Sequence, residues 1–228
     1  MNIGMRAATH LPAMSGFRGS PRLLKGGIVL IDPETSAVQR IISLQYNPDS
    51  VSRTLQPQAM KEGGDRAEAL RLTGPAVETI KLEAELDATD QLEMAEGTAV
   101  EVGLYPQLAV LEAMVNPTSA HLQATNELAQ AGVLEIAPAE TALMLFVWSK
   151  QRIVPVRITD FSITEEAFDP TLNPIRAKVS LGLRVLNVND LGFQHRGGSL
   201  FMSYLQNKEQ LALRSRNGAF SALGITGI

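Results

Sequence analysis

A mainly β fold with one or two flanking helices is what the sequence predicts, and three observations carry that expectation. Ile80, Leu82, Ala84 and Leu86 alternate with Lys81, Glu83, Glu85 and Asp87, the period-two pattern of a strand with one buried and one wet face. Residues 176–188 repeat the pattern, with Ala177, Val179, Leu181, Leu183 and Val185 on one face and Arg176, Lys178, Ser180 and Arg184 on the other. Residues 142–148 form the longest uninterrupted apolar run; it reads as a strand buried on both faces, being far short of the roughly 18 to 20 residues a membrane-spanning helix needs.

Residues 1–22 mix Gly, Pro and Ser with Arg6, Arg18 and Arg22 without a sustained period, which predicts a flexible or partner-ordered arm. Structure is expected from residue 23. Two apolar segments, 23–31 and 38–46, flank Asp32-Pro33-Glu34-Thr35-Ser36, a turn signal that makes them a hairpin. Asn47-Pro48-Asp49-Ser50 punctuates the chain before a short third strand at 51–55. Residues 56–75 contain Gly63-Gly64-Asp65-Arg66 and lack alternation, which predicts a long loop, ordered mainly by contact with a neighbouring subunit or the next layer of an assembly. Leu104, Leu108, Leu111 and Val115 recur at helical spacing before Asn116-Pro117, so one amphipathic helix is expected at 104–115, and a weaker one at 121–130. Along 152–168 the apolar set shifts phase from Val154, Val156 and Ile158 to Phe161 and Ile163, the signature of a bulge near Asp160. After Gly197-Gly198, read as chain-bending punctuation, Ser199 is placed to cap a final helix carrying Phe201, Tyr204, Leu205 and Ala212.

The chain has 228 residues, enough to bury a core without disulfides, and it holds no cysteine. That removes thiol nucleophiles, thiolate zinc sites and iron–sulfur clusters. Twenty Lys and Arg against 24 Asp and Glu give a net charge of -4, which argues against coating nucleic acid or an anionic membrane through bulk charge. The N-terminus develops no apolar stretch followed by a small-residue cleavage site, so no secretory signal is expected and the chain is expected to be made in the cytoplasm.

Chemistry is sparse. The histidines, His10, His121 and His195, are scattered without carboxylates at ligand spacing, which reads as ordinary surface histidine rather than a metal site. No Walker loop, dinucleotide-binding glycine motif or nucleophile elbow is present. Asp87, Asp90 and Glu93 lack the spacing and glycine of a calcium loop and read as an acidic helix start after a strand. Glu165 and Glu166 are adjacent, which puts them on opposite faces of a strand rather than across a cleft. Neither an enzyme nor a cofactor is expected.

Particular stretches add a family resemblance. Leu44-Gln45-Tyr46-Asn47-Pro48-Asp49-Ser50-Val51-Ser52-Arg53 resembles the aromatic-Asn-Pro-acidic signature, ending in Arg, of the tube-like baseplate proteins of contractile injection systems, the phage-tail-like particles of bacteria. Leu72-Thr73-Gly74-Pro75 with residues 80–90, then 106–112, then Phe146-Val147-Trp148 with 152–156, agree in order, and Phe168-Asp169-Pro170-Thr171-Leu172-Asn173-Pro174 with 175–179 is the most specific. The similarity covers residues 23–188. It implies a tail-tube-like barrel of two packed antiparallel sheets, with residues 1–22 as an arm and 189–228 as a C-terminal docking tail. It also implies a ring, most simply a hexamer, joining the inner tube to the spike and baseplate as a tube initiator or hub adaptor. Tube, spike or hub and baseplate proteins are the implied partners, with no nucleic acid and no direct membrane contact, in a particle kept inside the cell or released. The peptidoglycan-binding LysM pattern that many relatives carry is missing here, so cell-wall binding is not implied.

Unpaired strand edges are templates for another chain, and a ring covers them. On that argument and the resemblance, the expected assembly interface comprises Tyr46, Asn47, Pro48, Arg53, Arg66, Phe168, Asp169, Pro170, Arg176, Lys178, Phe201, Tyr204 and Leu205. The basic face of Arg176, Lys178 and Arg184 suits either an interface or plain solvation. Two other classes stay open: a small-molecule-binding β-barrel, for which aromatic residues are few, and a hydrolase, which lacks a nucleophile–base arrangement.

Overall fold

The computed structural model describes residues 24–59, 71–132, 141–215 and 218–227. The 1–22 arm and Arg66 lie outside them. Seven strands form one antiparallel sheet in the order β2-β1-β5-β6-β7-β4-β3, where β1 is Gly27–Ile31, β2 Val38–Ser43, β3 Val51–Ala59, β4 Leu72–Asp87, β5 Leu143–Ser149, β6 Arg152–Phe168 and β7 Pro174–Val185. Between β4 and β5 come α1 (Thr89–Glu93), α2 (Gly97–Val102), α3 (Tyr105–Glu112) and α4 (Ser119–Gln130), and after β7 come α5 (Val188–Leu191), α6 (Arg196–Leu213) and a 3-10 turn at Phe220–Leu223.

The sheet is strongly staggered. β6 pairs with β5 only through its first five residues, and Val156, opposite both Met144 and Val185, is where the strand passes from one partner to the next. The bulge falls where the phase slip predicts it, between Ile158 and Asp160. Opposite it stands Gly182, where a Cβ would meet Asp160 Oδ2 at 2.6 Å, so the bulge and the glycine are one device for bending the sheet. Ile28, Ile80, Leu82, Met144, Phe146, Val154, Val156, Val179, Leu181 and Leu183 turn inward onto a common core, closed over by Leu104, Leu108 and Leu111 around α3 and by Phe201 and Tyr204 of α6. At roughly 1.5–3 kcal/mol for each large side chain buried, this cluster dominates the stability of the fold.

β2 and β4 share no ladder, yet the chain after β2 returns to the end of β4. Gln45 Nε2 donates to the Asp87 carbonyl at 2.7 Å, and the Asp87 N–H donates to Gln45 Oε1 at 2.9 Å. One carboxamide thus supplies the donor and the acceptor that a neighbouring strand would have supplied. On the opposite face of β1 and β5, a second cluster of Ile31, Leu143 and Leu145 packs against Leu191 of α5 and Leu200 of α6. Burial on both faces explains the uninterrupted apolar run at 142–148.

The mainly β class is as expected, with the seven strands of the described residues in one sheet. Several finer expectations are corrected. The predicted loop at 56–75 is strand at both ends, since Gln56 pairs with Val77, Gln58 with Gly74 and Ala59 with Leu72. The ladder there is irregular and most of its side chains are exposed, so no alternation was written into the sequence. The cap of α6 is His195, whose Nδ1 accepts from the Gly197 N–H at 3.0 Å, not Ser199. Gly197 and Gly198 lie inside the first turn, and a Cβ on Gly198 would collide with the Gly192 carbonyl; close approach rather than punctuation selects glycine there. The helices predicted at 104–115 and 121–130 are present as α3 and α4, and the last strand ends at Val185, three residues early, because α5 begins at Val188.

Candidate assembly surface

Residues 46–50 leave β2 and form one wall of a groove of about 670 Å³, whose floor is the polar face of β4 and β7, including Lys81, Glu83, Glu85, Lys178 and Ser180. Tyr46 is half exposed beside it. Asn47 bonds within its own chain. Its Nδ2 donates to the Leu24 carbonyl at 2.8 Å and its Oδ1 accepts from the Gly26 N–H at 2.9 Å, extending the β1–β2 pairing beyond the ladder. Pro48 is half-buried next to it.

The face predicted to be basic is neutralised by acids of β4, β6 and α5. Arg176 meets Asp87 at 3.1 Å, Lys178 meets Glu166 at 3.1 Å and Arg184 meets Asp190 at 2.7 Å. Glu166, with Glu83 and Glu85 nearby, holds the Lys178 pKa above its ordinary value. The Thr89 hydroxyl and N–H, and behind them Arg176, hold Asp87 below the usual carboxylate range against a smaller desolvation cost. The reading from β7 alone missed that β4 and β6 bring acids to the same face.

The Phe168-Asp169-Pro170 segment is a tight turn between β6 and β7. Asp169 Oδ1 accepts from the N–H groups of Thr171 at 2.7 Å and Asn173 at 2.8 Å, and from the Thr171 hydroxyl at 2.8 Å. Asn173 Nδ2 donates to Asp169 Oδ2 at 2.9 Å and to the Glu101 carbonyl of α2 at 3.1 Å. Desolvation raises the Asp169 pKa, but the donors of Asn173 and Thr171 outweigh it and bring the group down to about 2. Phe168 and Leu172 are exposed on this turn.

Arg53, Phe201, Tyr204 and Leu205 make their contacts within the chain itself. Phe201 and Tyr204 are buried in the core and Leu205 packs against it, so α6 is not a free docking helix, and Ala212 sits on an exposed last turn. The apolar stripe finds its partner on the chain's own sheet. Arg53 joins a cluster that the sequence alone did not single out, centred on the buried Glu78. Arg53 Nε donates to Glu78 Oε1 at 2.7 Å, Lys208 Nζ to Oε2 at 3.0 Å and the Tyr204 hydroxyl to Oε1 at 3.1 Å. Desolvation pushes the Glu78 pKa up, but Lys208 and Arg53 more than offset it and hold it below the usual value. Its signal in the sequence was parity: Glu78 shares the inward-facing phase of Ile80, Leu82 and Ala84, and an acid there needs cationic partners.

The sheet ends on two strands that have no outer neighbour among the described residues, β2 and β3. Val38 and Ile41 on β2 are 58% and 70% exposed, whereas β3 carries Pro57, which withholds a donor from any added strand. The described residues contain no group of three or more His, Asp or Glu placed to hold a metal, and none of their helices is long and apolar enough to cross a membrane. Fold and surface together define a mainly β protein of one seven-stranded antiparallel sheet with an exposed apolar edge. Compared with family models and with curated proteins, the chain matches none.

Proposed function

We propose that this chain is a structural subunit of a contractile injection system, forming a ring of six copies that joins the inner tube to the spike and baseplate, without catalysis or cofactor. The observation that carries the reading is the β2 edge, a strand with exposed Val38 and Ile41 that has no neighbour on its outer side among the described residues. An open edge of this kind is a template that a second chain can cover. The motif resemblance at residues 44–53 and 168–179 supplies the kind of assembly. In the ring the staggered sheet takes up the tail-tube arrangement of two packed layers, with tube, spike or hub and baseplate proteins as neighbours in a phage-tail-like particle. Light scattering on the purified chain, followed by projection images, tests this: rings, or capture of the subunit on a tube or baseplate layer, support it. A monomer at all concentrations that stays off the particle axis overturns it.

A second reading, a small-molecule-binding β protein, is favoured by a cleft of about 440 Å³ lined by Ile41, Ile42, Ala84, Leu86, Pro106 and Val110. It requires a monomer whose melting temperature rises with an apolar ligand.

A further inference from the structure

The Glu78 cluster holds two cations and one anion, and it ties α6 to β3 and β4, two strands paired with each other but not with the helix. Arg53 stands on β3, Glu78 on β4, and Tyr204 and Lys208 on α6. Glu78 is 3% exposed, and its two oxygens are divided between the partners, with Arg53 on Oε1 and Lys208 on Oε2. Arg53 Nη2 also donates to the Tyr204 hydroxyl at 3.1 Å, and Lys208 Nζ lies 4.0 Å above the Tyr204 ring. The carboxylate therefore stands between a guanidinium from the sheet and an ammonium from the helix. With its charge present both cations are drawn inward onto a buried carboxylate; with its charge gone they face each other with no anion between them. The far end of α6, from Glu209 onward, is exposed, so nothing holds the helix beyond the cluster.

We propose that α6 is a charge-locked strap, seated on the sheet by the Glu78 carboxylate and released from it as a unit when that charge is removed, while the sheet stays folded. The strands supply most of the core on their own, and their ladders do not pass through α6. Release uncovers Phe201 and Leu205 together with the part of β6 that α6 packs against, so the strap is a conformational device rather than a passive lid. The lock makes a distinctive demand: removing Lys208 as well as the Glu78 charge relieves the repulsion, so a second lesion repairs part of the first.

Native-state hydrogen exchange on the full chain tests this with E78Q, K208Q and the double variant. In E78Q, exchange across Arg196–Leu213 is expected to rise about tenfold or more while Pro174–Val185 is unchanged. K208Q alone is expected to give a smaller rise, and the double variant to fall back toward wild type. Unchanged exchange of α6 in E78Q, an equal rise in β7, a double variant worse than E78Q, or failure of E78Q to fold would each overturn the proposal.

Discussion

Asp169 shows how much one carboxylate organises. Its oxygens take donors from Thr171 and Asn173, and the turn they fix allows Leu172 a φ of 68°, a left-handed conformation that a leucine rarely adopts without such support. Because folding lowers this pKa from the ordinary 3.8 to about 2, its contribution is fully present above about pH 4 and is lost as the pH falls through 2. D169N is expected to lower the melting temperature at neutral pH, with the gap to wild type closing as the pH drops from about 4 to about 2. Thermal scans across that range check it; a gap that stays constant would show the charge is irrelevant to the turn. Glu78 carries the same sign, its stabilisation present above the usual carboxylate value and lost below it.

At the scale of elements, the β2 edge and the β3 edge differ in defence. Pro57 guards β3, whereas β2 presents Val38, Gln39, Arg40 and Ile41 with neither proline nor inward charge. Substituting Ile41, which is 70% exposed, with lysine is expected to leave subunit stability within about 0.5 kcal/mol and to abolish ring formation. Denaturant midpoints and light scattering read the two effects separately, and a ring that survives I41K would remove β2 from the interface. The long strands were legible in the sequence because one-sided burial writes period two into them, as in Ile80 to Leu86, and the bulge because Ile158 and Phe161 are out of phase. The far end of β3 was not, because neither of its faces is covered. The residues expected at an assembly interface read least well: Arg53, Arg176 and Lys178 look like free cations along the chain, and their acidic partners come from other strands or from positions far away in sequence.

The molecule as a whole depends on β5, the strand that joins the N-terminal hairpin to the β6–β7–β4 region. Phe146 is 1% exposed, stacks on Trp148 with ring centroids 5.9 Å apart, and lies in the main core. F146A is expected to cost about 3–5 kcal/mol, in a single transition reported alike by Trp148 fluorescence and by circular dichroism. Two separated transitions would show instead that the hairpin and the rest of the sheet unfold independently.

That same strand sets a timetable for synthesis. β1 pairs with β5 in the register Ile31 to Leu143, a separation of about 110 residues, which at a ribosomal rate of about 5–20 residues per second is a wait of several seconds or more. During that interval the β1–β2 hairpin is out of the ribosome with its apolar strands unmet on both sides, and an isolated hairpin is marginal in water. Until β5 emerges, the β1 edge that it will occupy stands open as a template for another chain.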